Sequence, residues 1–309
     1  MTRRTPRCSL AATVEDGALP KQSSLIALAA LLALLAGSGP AFAQGDADLV
    51  ISSGKEGGNY FAMAGRLRTL LTRDHAQYAE VRPSLGSVEN LAHLDNPESP
   101  VGVAFAQADA LNGYLEENPE FRGEFVVLAD LGRECVFLFA RRDGGIQSAA
   151  DLKTRAGRQI SVDRPGSGAS VTYDYMMRLD PEFRNTEVVN VDMMEALAQL
   201  KAPADYSTLA AAMLVQRPRV VSPALEIVLN SPDAYRIVPV REGDLKAASL
   251  PSGKPVYTFE TVQVRQTKFE TMCTRALLLA ATDKLSTEVR SKLAEVLLES
   301  IDYIAPDAN

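Results

Sequence analysis

The chain has 309 residues, of which 46% are hydrophobic and 23% charged, and its formal net charge at pH 7 is −7. That length is enough for one large domain or for two lobes that each bury a core. An acidic balance argues against nucleic acid and anionic membrane surfaces as partners, because both carry charge of the same sign.

Residues 1–43 predict a secretory signal peptide. Lys21 precedes an uninterrupted apolar run, Leu25–Ala36, and Ala41-Phe42-Ala43 has the small-x-small pattern of a cleavage site. The run is too short to cross a bilayer as a permanent helix. We therefore expect cleavage near Ala43 and a periplasmic protein that does not itself span the membrane. The alternative is a buried N-terminal helix.

Strand-like and helix-like segments alternate after the leader. In chain order, the patterns predict strand Leu49–Ser52, helix Tyr60–Leu71, an extended run Val81–Pro83, helix Ser87–His93, strand Val101–Phe105, a helix opened by Gln107, strands Phe125–Ala129 and Cys135–Ala140, a short helix Asp151–Lys153, strand Gln159–Asp163, helix Ser170–Leu179, strand Val188–Val191, helix Met194–Leu200, strand Arg236–Val240, β-rich runs Thr258–Val264 and Cys273–Ala281, and helix Ser286–Ile301. Repeated β–α units favour an α/β fold with a mostly parallel sheet and helices on both faces. Ligands of such sheets bind at the carboxyl ends of the strands.

Two cysteines, Cys135 and Cys273, follow the leader, and both lie in apolar runs. Buried free thiols are the commoner outcome for such positions. A disulfide is the alternative in an oxidising compartment, although no spacing rule points to it.

Two Gly/Ser-rich junctions are the most informative features of the sequence. Residues 53–60 and 165–170 each join a predicted strand to a predicted helix. Such a junction leaves backbone N–H groups unpaired at the positive end of the helix dipole, which suits an anion. In the first junction, Gly58 allows close backbone approach, Asn59 is a candidate helix N-cap and Tyr60 offers a ring and a hydroxyl. The alternative is a plain helix start with Tyr60 in the core.

The second junction adds a cation. Ser167 and Ser170 offer hydroxyls, Gly168 offers its N–H, and Arg164 could bind a carboxylate through two hydrogen bonds. The alternative for Arg164 is a solvated position near a loop.

A third junction has the same character. Ser87 and Asn90 follow Gly86 at the start of a predicted helix, and Gln107 opens another helix at a strand's carboxyl end. Amide side chains both donate and accept, so they suit recognition without chemistry. We therefore expect these side chains to share one cleft with the first two junctions.

Signals for catalysis or metal binding are weak. The only histidines are His75 and His93, and nothing in the sequence places either near the cleft. A secreted hydrolase that uses Ser87 or Ser167 therefore lacks a base. No cluster of Cys and His has the spacing of a metal site. We expect no catalytic residue, no metal and no cofactor.

The order of these motifs resembles the TAXI solute receptors, the binding proteins of one branch of the TRAP transporters. The most specific parts are the run Ser87-Val88-Glu89-Asn90-Leu91 and the turn Pro165-Gly166-Ser167-Gly168. The resemblance covers nearly all of the chain after residue 43. This chain departs from the family pattern at Lys55-Glu56 and at Arg164, which bears on the identity of the ligand more than on the fold.

The resemblance implies a type II periplasmic-binding-protein fold, with two α/β lobes joined by crossing strands and closing like a hinge. Lobe 1 would comprise residues 44–139 and 259–309, and lobe 2 residues 140–258. The implied function is capture of a small organic acid or amino acid, a glutamate-like carboxylate, for a TRAP membrane permease. A periplasmic sensor that docks a membrane signalling receptor is the alternative. The residues that we expect at the ligand are Gly58, Asn59, Tyr60, Ser87, Asn90, Gln107, Arg164, Ser167, Gly168 and Ser170.

Overall fold

The computed structural model describes residues 47–154, 157–203, 206–245 and 253–306. The predicted signal peptide, residues 1–43, lies outside these ranges. Within them, no helix is both long enough and apolar enough to span a membrane.

Strands and helices alternate along most of the described chain. The strands are β1 (Leu49–Ser52), β2 (Ala79–Arg82), β3 (Val101–Gln107), β4 (Phe125–Arg141), β5 (Gln159–Ser161), β6 (Glu187–Val189), β7 (Leu209–Gln216), β8 (Tyr235–Val238), β9 (Thr258–Val264) and β10 (Thr267–Ala281). The α-helices are α1 (Asn59–His75), α2 (Ser87–Asp95), α3 (Ala108–Glu117), α4 (Gly168–Leu179), α5 (Met193–Lys201), α6 (Pro223–Asn230) and α7 (Thr287–Ile304). Short 3₁₀ turns lie between several of them.

One continuous sheet runs in the order β2-β1-β3-β10-β4-β7-β5-β6, with β8 added to β4 and β9 added to β10. Its two ends are parallel, because β1 pairs with β2 and β3, and β5 pairs with β6 and β7. Its middle is antiparallel, because β10 pairs with β3 and β4, and β4 pairs with β7. The prediction of a mostly parallel sheet is therefore wrong for the middle, where long strands return in the opposite direction.

The two long strands join two α/β lobes. The first part of β4, Phe125–Cys135, pairs with β10, and the last part, Cys135–Ala140, pairs with β7. Lobe 1 holds β1, β2 and β3, whereas lobe 2 holds β5 to β8. This is the fold that the resemblance implied, and its strands cross from one lobe to the other at β4 and β10. The lobe boundaries given above stay a prediction.

The alternation of side chains across the sheet builds the cores. In lobe 1, Leu49 and Ile51 pack against α1 and α7, whereas Val50 faces the opposite side. In lobe 2, Phe137 and Phe139 face α5 and α6, whereas neighbouring β4 residues join a cluster that continues into lobe 1. Since strand side chains alternate, each lobe carries helices on both faces.

A disulfide joins the two crossing strands. Cys135 of β4 lies directly opposite Cys273 of β10 in the register, and their sulfurs are bonded. The expectation of buried free thiols is therefore wrong. Both residues are buried as expected, but the antiparallel pairing of β4 with β10 brings them together across 138 residues of sequence.

Candidate functional site

A cavity of about 210 Å³ lies between the lobes, where the turns that follow β1, β2 and β5 face one another. All but two of the residues predicted to contact a ligand line it, namely Gly58, Asn59, Tyr60, Ser87, Gln107, Arg164, Ser167 and Gly168. Asn90 and Ser170 are not part of the lining. The structure thus brings the three Gly-rich junctions together at one cleft.

The first junction leaves the start of α1 open. Gly58 is the N-cap residue and provides no side-chain cap, and the first turn holds no acidic residue. The prediction that Asn59 caps the helix is wrong, because Gly58 N donates to the Lys55 carbonyl at 2.9 Å and closes the turn one residue earlier. A Cβ on Gly58 would lie 2.9 Å from that same oxygen, so the turn needs glycine. The positive end of the α1 dipole therefore faces the cleft.

Glu134 is a lining residue that the sequence analysis missed. It lies on β4 with 7% of its surface exposed, accepts a hydrogen bond from Tyr60 Oη at 2.8 Å, and is 3.5 Å from Asn59 Nδ2. Burial raises the pKa of its carboxyl, although the two hydrogen bonds and the charge of Arg217 act in the opposite direction. Burial and the neighbouring Glu134 also raise the pKa of Tyr60 well above its usual value, so the phenol stays a donor.

The second junction brings Arg164 into the cleft. Arg164 lines the cavity, and its buried Nε has no hydrogen-bond partner within the described part of the chain. Asp163, immediately before it, adopts a left-handed backbone with φ of 61° and lines the same cavity. A buried donor without an acceptor is unfavourable, so Arg164 points to an acceptor supplied from outside the chain.

The serine hydroxyls of the cleft are already engaged. Ser167 Oγ caps α4 by accepting from Ser170 N at 3.2 Å, and it donates to the Val162 carbonyl at 2.9 Å. Ser87 Oγ accepts from Gln107 N at 3.0 Å. These hydroxyls shape the turns, and as direct ligand contacts they stay a prediction.

Asn90 is fully buried behind the lining. Its Oδ1 accepts from Ser52 Oγ at 2.6 Å, and its Nδ2 donates to the carbonyls of Ser53 and Phe105 at 2.5 and 2.6 Å. The side chain thus ties the carboxyl ends of β1 and β3 together. It positions the junctions of lobe 1 and has no free group directed at the cavity.

The match to a protein family covers nearly all of the described chain. A model of the NMT1-like family matches residues 51–303. This chain belongs to the NMT1-like family. Its two α/β lobes joined by crossing strands have the type II periplasmic-binding-protein fold.

Solved structures similar to this NMT1-like chain are distant in sequence. XAC2383 from Xanthomonas citri bound to ATP has 14% identity and a TM-score of 0.50 over 82% of each chain. MatC from Rhodopseudomonas palustris with bound malate has 14% identity and a TM-score of 0.48 over 84% of this chain and 88% of that one. The periplasmic aliphatic sulphonate binding protein SsuA from Escherichia coli has 12% identity and a TM-score of 0.46 over 83% and 72%. At such identities a likeness concerns the fold alone.

The lobes of this NMT1-like chain touch along the edge of the cleft. Gly86, with φ of 135°, lies so close to the Gly166 carbonyl that a Cβ on Gly86 would be 2.2 Å from its oxygen. A Cβ on Gly168 would be 2.8 Å from Gln107 Oε1. Glycine at Gly86 therefore permits this close approach of the two lobes, whereas a Cβ on Gly168 would meet the end of the Gln107 side chain and not backbone.

A buried polar network links the lobes behind the cleft. Thr172 Oγ1 of α4 donates to Asp109 Oδ2 of α3 at 2.7 Å and accepts from Gln107 Nε2 at 3.3 Å. Tyr257 Oη donates to the same carboxyl oxygen at 3.0 Å. Burial raises the pKa of Asp109, while these hydrogen bonds oppose the rise. The sequence does not predict this network, because its members lie on separate elements.

The two histidines lie away from the cavity lining. His93 Nδ1 is 3.0 Å from Ser52 Oγ, and His75 Nδ1 is 3.6 Å from Glu295. Among the contacts of the described residues, neither reaches Ser87 or Ser167, so neither histidine is placed as a base for these serines. The group Cys135, Glu260 and Cys273 lies close enough together for a metal, but both sulfurs are bonded to each other.

Proposed function

We propose that this protein is the solute receptor of a TRAP-type transporter. It captures a small organic acid or amino acid from the periplasm by closing its lobes, and it presents the closed form to a membrane permease. The order of the Gly-rich junctions and the predicted signal peptide support this proposal. A cavity of about 210 Å³ suits a small solute, since drug-sized ligands occupy roughly 300–1,000 Å³.

The observation that carries the proposal is the unpartnered Nε of Arg164 in the inter-lobe cavity. A carboxylate of the solute would accept from this guanidinium. The N-termini of α1 and α4 border the same cavity and add positive potential. Helix α1 belongs to lobe 1 and helix α4 to lobe 2, so an anionic group bound by both N-termini favours closure of the lobes.

Glu134 and Asp163 add acceptors to the same cavity. A solute with carboxylate groups alone would place negative charge beside both carboxyls, whereas an amino acid offers them an ammonium group. Glu134 retains unused lone pairs beyond the bonds from Tyr60 and Asn59. We therefore favour an amino acid with an acidic or polar side chain within the class of glutamate-like carboxylates.

The test is a thermal-shift screen of amino acids and organic acids, followed by calorimetric titration of each compound that raises Tm. We expect saturable binding without turnover. Arg164→Ala should weaken binding by about 1.5–3 kcal/mol, about 10- to 150-fold, because a hydrogen bond to a charged group is lost. Arg184→Ala is the matched control, since it removes the same charge from an exposed position of lobe 2.

Equal affinity in the Arg164 and Arg184 variants would contradict the proposed role of Arg164. Absence of any shift across the panel would contradict the assignment to this class of solute. Uptake into vesicles that contain a TRAP permease, with and without the receptor, then tests the transport step. Binding without receptor-dependent uptake would favour the sensor alternative.

A further inference from the structure

A second cavity, of about 160 Å³, lies at the end of lobe 2 that is remote from the cleft. It is lined by the end of β4, the loop after it, Arg158 before β5, and Leu209 and Ala210 at the start of β7. Ala210 lies four positions along β7 from Leu214, the nearest β7 residue of the cleft lining, which is about 13 Å along an extended strand. The second cavity is therefore separate from the candidate solute site.

Arg141 is the central polar group of this cavity. Its side chain is only 13% exposed, and its nearest carboxylate is Asp143, with Nε and Oδ1 3.9 Å apart. That separation exceeds a hydrogen bond, and the Asp143 side chain is itself 85% exposed. Within the described residues, no acceptor forms a hydrogen bond with the Arg141 guanidinium. Up to five N–H donors on a mostly buried group are thus left for something in the cavity.

A second arginine, the exposed residue Arg158, lines the same cavity. The backbone of Arg158 is anchored, because its carbonyl accepts from Glu187 N at 2.9 Å. Its side chain forms no hydrogen bond or ion pair with another described residue. With Asp143 as the only acidic residue of the lining, the two arginines leave the cavity with net positive charge.

The loop after β4 fits closely around the Arg141 side chain. Gly144 N donates to the Arg141 carbonyl at 3.2 Å, and a Cβ on Gly144 would lie 3.1 Å from Arg141 Cβ. Close by, Arg236 donates to the Arg142 carbonyl, and its buried Nε has no partner within the described chain. A third guanidinium therefore adds to the positive charge at this end of the lobe.

We propose that this cavity binds a free inorganic oxyanion, phosphate or sulfate. Water could accept hydrogen bonds from Arg141, but it would leave the net positive charge of the lining, two arginines against Asp143, without a counter-charge. A tetrahedral oxyanion offers separate pairs of oxygens, so it can accept from Arg141 and Arg158 at once. The cavity is large enough for such an ion together with water. This site does not depend on the function proposed for the cleft.

The experiment is a titration of the full-length mature protein with sodium phosphate and with sodium sulfate at constant ionic strength, followed by amide NMR. Gly144 and Ala210 report on the second cavity, and Gly168 reports on the cleft. We expect saturating shifts at Gly144 and Ala210. Arg141→Gln should weaken the anion's affinity at least about tenfold, because charged hydrogen bonds are lost. Arg142→Gln, which removes the same charge from an exposed neighbour outside the lining, should change it less than about twofold.

Arg158→Gln is a second variant for the same titration, in case Arg141→Gln does not fold. It should also weaken the binding of the anion. Arg164→Gln should leave the shifts at Gly144 and Ala210 unchanged. Shifts that grow linearly with concentration and survive both Arg141→Gln and Arg158→Gln would indicate an adventitious ion only, and they would overturn the proposal. It would also be overturned if Arg164→Gln abolished the response, because the anion would then belong to the cleft.

Discussion

Removal of the Thr172 hydroxyl tests whether the buried network holds the lobes together. Thr172→Val keeps the size and branching of the side chain but deletes both the bond to Asp109 and the bond from Gln107. Asp109 keeps its bonds from Tyr257 Oη and Ala110 N. The change therefore weakens the contact between α3 and α4 without leaving the carboxyl unpaired.

The magnitude follows from these two hydrogen bonds. A bond between neutral groups contributes roughly 0.5–1.5 kcal/mol, and one to a charged group roughly 1.5–3 kcal/mol. Burial raises the pKa of Asp109, which favours the lower end of that range. In an open form, water would replace both bonds, so the loss falls on the closed form. We expect about 2 kcal/mol, equivalent to about 30-fold weaker solute binding.

The assay combines calorimetric titration of the solute with the radius of gyration from small-angle X-ray scattering. Thr186→Val is the matched control, because Thr186 is equally buried and its hydroxyl donates to the Leu152 carbonyl within lobe 2. The control should lower the free energy of unfolding by about 1 kcal/mol and leave the affinity unchanged. Thr172→Val should lower the affinity by the full factor if the ligand-free protein is mostly open, and should enlarge the ligand-free protein, with a smaller loss of affinity, if it is mostly closed. Wild-type affinity and an unchanged radius of gyration in Thr172→Val would refute the reasoning.

Three further changes test other parts of the structure. Gly86→Ala should abolish solute binding without unfolding the protein, as titration and circular dichroism would show, because its Cβ would meet the Gly166 carbonyl. Glu134→Gln should raise the free energy of unfolding near pH 7. The pKa of Glu134 is raised in the folded protein, so the protonated carboxyl stabilises the fold at low pH and this stabilisation is lost as the pH rises through the raised pKa. Denaturation at several pH values checks this, and an equal gain at pH 4 would contradict it. The Cys135→Ser, Cys273→Ser double variant should lose about 2–5 kcal/mol in chemical denaturation, because the bond closes a loop of 138 residues. Reductant should then destabilise only the wild type.

The strand–turn–helix junctions are the part of the fold that local sequence predicts well. Strand β1 has the predicted bounds, and helices α2 and α4 lie close to theirs. Gly-rich turns and periodic apolar residues are local signals, so they can be recognised without knowledge of the fold. Strand β7 was missed because Ala210-Ala211-Ala212 has low β propensity. Its strand conformation depends on pairing with β4 and β5 on either side.

Long-range pairing limits what the sequence reveals about the site. Helix α6 does carry a local signal that was overlooked, since Ser222 caps it and Pro223 is its first residue. No comparable local signal in the sequence marks Glu134 as a cleft residue or pairs Cys135 with Cys273. Both are set by the register of β4 with β10, in which Cys135 meets Cys273 and the preceding residue faces the cleft. Only a charged residue within an apolar strand hints at such a position.

Polar residues at strand ends are poor guides to ligand contacts, because the fold itself uses them. Ser87, Asn90 and Ser167 have the residue types expected of a binding site, yet their side chains bond to the backbone of their own lobe. The charged residues of the lining that remain for a solute are Lys55, Glu134, Asp163 and Arg164, beside the N-termini of α1 and α4. Charged groups discriminate by the sign and spacing of charge more than by hydroxyl pattern. The selectivity of this cleft should therefore depend on the positions of the carboxylate and the ammonium group within the solute.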